Sequence, residues 1–428
     1  MAQRHPDNQV TRTHDHDHGS VGGLLPVEEI RDRILARVQP LSPIDLPLQE
    51  AFGCVAARDT IAELSLPEFS SSAMDGFACR AQDVASATTE TPVELRVVGR
   101  ALIGHRPDAT VGSNEAVRID TGAPIPAGAD CVVPIEFTEV RANKVWIRQG
   151  ASEGRHVRPA AEDVRAGDVL VPGGRRLSAP ELGLLATAGH PHVLAHPRPR
   201  VIVISTGDEL VEPWQPAAFG QVRDANSFTL LGALREVGAV PYLAGIVRDD
   251  VESFKEAILS HLVQADAFIS SGGVSVGERD VVKRAFFRRG EVDFFRVAMQ
   301  PGMPQAFGIL EGKPYFGLPG NPVSAFVSYE VLVRPTLLKM MGRTNLFRPE
   351  VTATLTTDIS GPEEKLQFAR VRVKRGTEGF TAAATGSSSS NLLSTVARAN
   401  GLAMIPPGVQ TAAAGQEVRV MLFRTMEN

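Results

Sequence analysis

The chain has 428 residues, of which 43% are hydrophobic and 22% are charged, and its formal net charge is −5 at pH 7. This length predicts about two to four globular domains, and the acidic balance does not suggest a basic surface for nucleic acid, so we expect no nucleic-acid partner. No apolar run approaches the ~20 residues of a membrane span, so we expect no membrane segment. Three widely spaced cysteines indicate neither a disulfide framework nor a zinc site: Cys54, Cys79 and Cys131.

Residues 1–23 are polar and hold four of the ten histidines. Because they contain no apolar core of a secretory signal, we expect a cytoplasmic protein. His14, His16 and His18 alternate with aspartates, and such a tract can take up Zn²⁺ or Ni²⁺ adventitiously. The composition itself predicts a disordered tail.

The hydrophobic pattern then changes several times along the chain. Residues 24–38 form an amphipathic helix, short strands and turns follow, and residues 201–342 alternate apolar runs with helical segments. The last pattern is typical of a doubly wound parallel sheet. We therefore expect a multidomain α/β plus β fold with these parts: a disordered tail (1–23), a linker domain (24–43 plus 159–198), a β-rich lobe (44–158), a doubly wound α/β domain (199–345) and a C-terminal β-barrel (346–428).

Acidic residues follow the strands of the α/β domain, where ligands of such sheets bind. We expect five of them at one edge of the sheet: Asp208, Glu209, Asp249, Asp250 and Asp280. A hard cation such as Mg²⁺ would relieve their mutual repulsion. Asp249 and Asp250 also precede a helix, so capping of that helix is the alternative role for them.

Two glycine-rich turns follow strands of the same domain, SGGVSVGERD at 271–280 and GLPGNPVS at 317–324. Each turn leads into a helix, and backbone N–H groups at such a junction suit a phosphate. Either turn alone is also typical of ordinary chain reversal. Two of them at one edge favour an extended, phosphorylated ligand.

Eight strings occur in order along the chain: SSAMDGFA, DTGAPIPAGAD, AAEDVRAGD, STGDEL, RDD, SGGVSVGERD, PGMP and GLPGNPVS. Together they resemble the molybdopterin molybdenumtransferases, the MoeA family that includes the gephyrin E domain, over about residues 24–425. The resemblance implies the last step of molybdenum cofactor synthesis. In this step adenylylated molybdopterin and molybdate react in the presence of Mg²⁺: the phosphoanhydride is cleaved, AMP leaves, and the dithiolene of the pterin takes up the metal.

The resemblance also implies a homodimer, with a cleft between the molybdopterin-binding α/β domain of one protomer and the β lobe of the other. Molybdopterin adenylyltransferase and molybdoenzymes are the further partners that it suggests. The catalytic residues that it implies are Asp75, Thr121, Asp163, Glu209 and Asp280. Asp249, Asp250 and Asp280 would hold Mg²⁺ or its waters. The positions implied for molybdopterin, phosphate or oxyanion binding are Ser205, Thr206, Gly207, Asp208, Ser271, Gly272, Gly273, Ser275, Gly277, Arg296, Gln300, Pro301, Pro304, Pro319, Gly320, Asn321, Pro322, Arg370 and Ser390.

One string departs from the family pattern. The family often has K-P-G-K-P where this chain has Gln300 to Pro304, with Met303 at the second lysine position. Those lysines are associated with the molybdate pocket, so we expect a high molybdate requirement. Arg296, Arg370 and Ser390 would then carry the oxyanion.

Two rival functions fit parts of the sequence. A molybdopterin adenylyltransferase shares the glycine-rich turns, but it typically lacks the β lobe and the barrel. A dimeric scaffold or cofactor carrier with a weakened molybdate site would explain Met303, whereas the nearly complete acidic edge favours an enzyme.

Overall fold

The computed structural model describes residues 23–274, 281–286, 292–377 and 379–425. The chain divides into two compact units, a smaller one at 43–195 and a larger one made of the segments on either side of it. Within the described ranges, no helix has the length and apolar character needed to cross a bilayer.

The first helix, α1 (Val27–Ala36), belongs to the larger unit. Its buried residues recur at helical spacing (Val27, Ile30 and Ile34), which gives the apolar stripe expected from the sequence. The chain just before it is fixed to the α/β domain, because the N–H of Leu25 donates to the carbonyl oxygen of Arg296 over 2.9 Å.

The smaller unit is mostly β. Its strands are β1 (Ile44–Pro47), β2 (Val55–Ala56), β3 (Thr60–Ile61), β4 (Ser71–Ser72), β5 (Gly76–Cys79), β6 (Val93–Ala101), β7 (Glu115–Ile119), β8 (Cys131–Pro134), β9 (Thr138–Arg141), β10 (Lys144–Ile147), β11 (Val157–Arg158), β12 (Val169–Val171) and β13 (His192–His196). Its helices are α2 (Ala81–Val84) and α3 (Ala179–Thr187), with a 3₁₀ turn at Ile135–Phe137.

The main sheet of this unit has the strand order β8-β5-β7-β6-β10-β9. A hydrophobic core lies on each face of its central strands, since successive side chains of a strand point to opposite sides. Phe77 of β5 packs in a core with Leu95 and Val145. The next residue, Ala78, packs in a second core with Ile119.

The α/β domain follows. Its strands are β14 (Arg200–Thr206), β15 (Leu210–Val211), β16 (Val222–Arg223), β17 (Val240–Val247), β18 (Ala267–Ser271), β19 (Val292–Arg296), β21 (Pro304–Leu310) and β22 (Lys313–Leu318). The short strand between β19 and β21, β20 (Met299–Gln300), belongs to the sheet of the C-terminal part instead. Its helices are α4 (Asn226–Val237), α5 (Val251–His261), α6 (Val281–Phe286), α7 (Pro322–Ser328) and α8 (Arg334–Met340), with a π-helical segment at Tyr329–Val333.

The sheet of this domain has the order β17-β14-β18-β22-β21-β19. The first four strands run parallel, and β21 and β19 run antiparallel to their neighbours. Helices α5 and α6 contribute to one core with Ile202 and Ile204, while α4 packs against α7 and α8. β14 and β18 are buried almost throughout, as expected for parallel strands with covered faces.

The segment after the last turn forms one helical rod from α7 to α8. Pro335 has no N–H to donate and its ring collides with the carbonyl of residue 331. The rod therefore widens into the π-helical segment just before the proline.

The C-terminal part forms a β-barrel. Its elements are β23 (Glu350–Leu355), β24 (Ile359–Ser360), β25 (Leu366–Gly376), β26 (Gly379–Ala384), α9 (Leu393–Arg398), β27 (Gly401–Ile405), β28 (Thr411–Ala412) and β29 (Glu417–Leu422). Five strands, β25-β26-β23-β29-β27, close because β27 also pairs with β25. The predicted multidomain α/β plus β fold is confirmed.

Candidate functional site

The parallel strands of the α/β domain end at one edge of the sheet. β14 ends at Thr206, β17 at Val247, β18 at Ser271 and β22 at Leu318. The predicted segments that follow these strands therefore meet at this edge: Ser205 to Glu209, Asp249 and Asp250, Ser271 to Gly273, and Pro319 to Pro322. Ser275, Gly277 and Asp280 lie outside the described residues.

Three carboxylates influence one another at this edge. The N–H of Asp249 donates to Oδ1 of Asp208 over 3.3 Å. Partial burial raises the pKa of Asp249, and the charges of Asp208 and Glu209 raise it further, while the Thr206 side chain acts in the opposite direction. The part of this shift that comes from Asp208 and Glu209 reflects repulsion between like charges, which a cation would relieve.

Asp250 has a different environment. Its Oδ1 accepts the N–H of Ser253 over 2.9 Å at the start of α5. The bonds from Ser253 lower the pKa of Asp250. This side chain is therefore an N-cap of α5, the alternative role expected from the sequence.

The described residues contain no group of three histidine, cysteine or acidic side chains arranged to hold a metal ion. Mg²⁺ does not require such a group, since it is often bound by one or two carboxylates together with waters and substrate phosphates. Asp208 and Asp249 fit that donor set in type and charge.

The first glycine-rich turn packs tightly against the end of β14. Gly272 has φ +92°, and a Cβ at this position would lie 2.5 Å from the carbonyl oxygen of Thr206. Its N–H donates to the carbonyl oxygen of Leu318 over 3.0 Å. Glycine is required here by both conformation and contact, which fixes this turn beside the end of β22.

The N-terminus of α4 joins three parts of the edge. Nδ2 of Asn226 donates to Oγ of Ser271 over 2.5 Å and to the carbonyl oxygen of Gly320 over 2.7 Å. The hydroxyl of the next residue, Ser227, bonds with that of Ser205 over 2.8 Å. The role of Asn226 is not apparent from the sequence, because an asparagine at a helix start is typical of ordinary capping.

Arg370 lies on β25 of the barrel, and only 3% of its surface is exposed. Nη2 donates to the carbonyl oxygens of Ser387 (2.6 Å) and Ser389 (3.1 Å), and Nε donates to Oγ1 of Thr395 (3.1 Å). Burial lowers its pKa. No ion pair links this guanidinium to a carboxylate within the described part of the chain, so its charge favours a bound anion.

The serine loop that wraps Arg370, residues 387–390, contacts the second glycine-rich turn. The carbonyl oxygen of Ser390 accepts the N–H of Val323 over 3.1 Å at the start of α7. Asn321 and Pro322 directly precede that residue. Two of the predicted oxyanion residues, Arg370 and Ser390, are therefore neighbours of the predicted phosphate turn.

The loop with the unusual methionine reaches the same region. Gln300 on β20 pairs with Gln367 on β25, three residues before Arg370. Nε2 of Gln305 donates to the carbonyl oxygen of Gly302 and to Oγ of Ser328, each over 2.5 Å, which holds this loop against α7.

Arg296 is placed differently from the other predicted oxyanion residues. It ends β19 opposite Pro304, the first residue of β21. Its side chain lines a groove together with Glu28 and Glu364. Arg370 is not among the residues that line this groove.

The smaller unit brings two of its predicted site residues together. Oδ1 of Asp75 accepts both the N–H (2.7 Å) and the hydroxyl (3.0 Å) of Thr121. These bonds, the backbone bond first, lower the pKa of Asp75. The next position, 76, requires glycine, because a Cβ there would lie 2.0 Å from the carbonyl oxygen of Val133.

The third predicted residue of this unit, Asp163, is exposed, and its N–H donates to the carbonyl oxygen of Leu66 over 3.0 Å.

Three family models match successive parts of the chain. They are described as the MoeA N-terminal region with domains I and II (residues 25–189), a "Probable molybdopterin binding domain" (202–339) and the MoeA C-terminal region, domain IV (352–423). The three matched ranges follow the order of the lobe, the α/β domain and the barrel.

Two relatives from Mycobacterium tuberculosis span nearly the whole chain. Molybdopterin molybdenumtransferase 2 is 42% identical, over 93% of this chain and 99% of its own length. Molybdopterin molybdenumtransferase 1 is 36% identical, over 93% and 98%. Two crystal structures of the molybdopterin biosynthesis MoeA protein from Pyrococcus horikoshii cover 94% of this chain and 100% of their own, with TM-scores of 0.79 and 0.73 at 32% and 27% identity.

Proposed function

This chain belongs to the molybdopterin molybdenumtransferase family, and we propose that it inserts molybdate into adenylylated molybdopterin with release of AMP. Its relatives identify it as a transferase of molybdenum cofactor biosynthesis. The adenylylated substrate, the AMP product, the need for Mg²⁺, a homodimer and a cytoplasmic location are parts of the proposal.

One observation carries the proposal, the position of Arg370 beside the second glycine-rich turn. A buried guanidinium that pairs with no carboxylate among the described residues suits a compact oxyanion such as molybdate. The bond between Val323 and Ser390 joins its loop to the turn that follows β22. A molybdate held at Arg370 would thus lie next to a phosphate-binding edge, so that uptake of the metal by the dithiolene and release of AMP take place on one bound ligand.

The residues of the edge would bind and orient the substrate. The turn at Gly272 and Gly273 offers backbone N–H groups to a phosphate, and Asp208 and Asp249 would hold Mg²⁺ through oxygen atoms or water. When bound, Mg²⁺ neutralises charge on the phosphate oxygens. Asp250 and Asp280 stay proposed as further contacts of the ion or its waters.

The chain needs no covalent nucleophile for this reaction. Cleavage of a phosphoanhydride depends mainly on positioning and on neutralising charge. Asp75, Thr121 and Asp163 are proposed as the catalytic contribution of the smaller unit, with Glu209 from the larger one. The two hydrogen bonds from Thr121 keep Asp75 ionised and fix its orientation.

A reconstitution assay tests this function. Purified protein would be incubated with adenylylated molybdopterin, molybdate and Mg²⁺, and the product added to an apo-molybdoenzyme. We expect the amount of AMP released to equal the amount of active cofactor formed, which is measured by the restored activity of the molybdoenzyme. Omission of the protein or of molybdate provides the controls, and AMP formation without any active cofactor would contradict the proposal.

A second function is favoured by one observation, the methionine and glutamine in the loop at 300–304. With no lysine in this loop, a dimeric carrier that binds the pterin without processing it is the alternative. In the same assay a carrier would retain the adenylylated pterin and release no AMP.

A further inference from the structure

Asn226 is the first residue of α4, and its surface is 8% exposed. Its Nδ2 faces two oxygens, Oγ of Ser271 and the carbonyl oxygen of Gly320. The amide orientation follows from this geometry, because a carbonyl oxygen only accepts hydrogen bonds and therefore requires the nitrogen on its side. Both bonds join turns that we propose to bind phosphate.

This orientation determines the role of the Ser271 hydroxyl. An amide nitrogen cannot accept, so Ser271 Oγ is the acceptor of that bond and its own proton points elsewhere. Ser271 is 2% exposed, and no acceptor for that proton occurs among the hydrogen bonds of the described residues. The hydroxyl of Ser271 thus points its proton away from Asn226, where it can donate to a phosphate oxygen.

The remaining atom of the amide, Oδ1, is buried and has no hydrogen-bond partner within the described ranges. A buried carbonyl oxygen without a donor destabilises a protein. The bond between Ser205 and Ser227 and the bond from the N–H of Ser227 to Oδ1 of Asp224 (3.1 Å) fix the start of α4. Oδ1 of Asn226 is therefore a hydrogen-bond acceptor that has no donor among the described residues and is fixed in position at the edge proposed to bind the ligand.

We propose that Asn226 is a substrate-contacting and positioning residue. Its Nδ2 directs the hydroxyl of Ser271 toward a phosphate oxygen, and its Oδ1 accepts a hydrogen bond from a hydroxyl or amino group of the same ligand. This inference rests on the proposed function, whose substrate supplies such donors on both its nucleotide and its pterin part.

The test uses the full-length protein and AMP as the probe, with binding measured by calorimetry at fixed Mg²⁺. Asn226→Ala and Ser271→Ala should each weaken AMP binding by about tenfold. The double variant should bind little worse than either single variant, because Asn226 acts partly through Ser271. Effects that simply add would overturn the positioning role.

Asn400→Ala is the matched control. Asn400 also bridges polar groups, since its Oδ1 accepts the N–H of Val373 (2.7 Å) and its Nδ2 donates to the carbonyl oxygen of that residue (2.9 Å). Both ends of its amide are thus paired. Loss of Asn400 should lower the thermal midpoint without changing AMP affinity.

Molybdopterin as a second probe identifies the donor that Oδ1 meets. The ligand whose affinity falls more in Asn226→Ala carries this donor. If both affinities stay within twofold of wild type and only the thermal midpoint falls, Asn226 is structural and the inference is wrong. Molybdate-dependent AMP release by the wild-type protein tests the proposed function separately, so failure of one claim is distinguishable from failure of the other.

Discussion

The N–H of Val323 donates to the carbonyl oxygen of Ser390 over 3.1 Å and joins the start of α7 to the serine loop of the barrel. The loop in turn surrounds the guanidinium of Arg370 with carbonyl oxygens. This one bond joins the loop around a buried cation of the barrel to a glycine-rich turn of the α/β domain, the two places where we propose that molybdate and phosphate bind.

Arg370→Gln should raise the molybdate concentration for half-maximal AMP release by at least about tenfold, because a charged hydrogen bond to the oxyanion is lost. AMP affinity should not change. Arg372→Gln is the control, since Arg372 is exposed on the same strand. Equal effects of the two substitutions would show that Arg370 acts only through overall charge.

Met303→Lys should lower the same molybdate concentration by about tenfold, because it adds a cation to the loop beside the strand of Arg370. Met303→Leu keeps the size and apolar character of the side chain and should leave the value unchanged. An unaltered molybdate requirement in the lysine variant would place this loop away from the oxyanion.

Asp249 and Asp250 should affect stability in opposite directions when metal is absent. The pKa of Asp249 is raised in the folded protein, so its ionised form destabilises the fold above that pKa, and the penalty disappears below the unfolded pKa. Asp249→Asn should therefore raise the thermal midpoint at pH 7 and have little effect at pH 3.

The pKa of Asp250 is lowered instead, so its stabilising effect is present above the unfolded pKa and is lost as the pH falls through the folded pKa. Asp250→Ala should lower the thermal midpoint at pH 7. Thermal melts from pH 3 to pH 7 in a metal-chelating buffer check both variants. Shifts of the same sign at pH 7 would show that the two carboxylates have the same role.

Gly272→Ala should destabilise the protein by about 2–4 kcal/mol, because it combines an unfavourable φ with a backbone clash. Gly220 has nearly the same φ of +88°, but a Cβ there meets nothing within 4 Å. Gly220→Ala should cost only about 1 kcal/mol. The free energies of unfolding of both variants, measured in urea, differ by the cost of the contact with Thr206. Equal decreases would mean that this contact has no effect on stability.

Thr121→Val removes one of the two bonds to Asp75 and should raise the pKa of that carboxyl while the backbone bond persists. The acidic limb of the pH–rate profile should then move to higher pH, and Thr121→Ser should restore its wild-type position. A profile that is identical in all three proteins would remove the pair from the catalytic step.

The sequence predicts the fold well because its signals are local. Strand-loop-helix repetition indicates the α/β domain. Cys79 and Cys131 show what local signals miss. They are 52 positions apart in sequence, yet they lie opposite each other on β5 and β8, with sulfur atoms 3.7 Å apart.

The candidate site was predictable to the extent that residues follow strand ends. The difference between Asp249 and Asp250 was not, because it depends on which side chain reaches Ser253. The hydrogen bonds of Arg370 to the carbonyl oxygens of the serine loop, and those of Asn226 to Ser271 and Gly320, join segments that are distant in sequence. Such contacts exist only after the strands have paired.

The most direct test is AMP release from adenylylated molybdopterin at fixed Mg²⁺ during a molybdate titration. We expect release that rises with the molybdate concentration and saturates only at a high concentration, and we expect Arg370→Gln to need still more molybdate. Release that is independent of molybdate, or tight binding of the substrate without release, would contradict the proposed function.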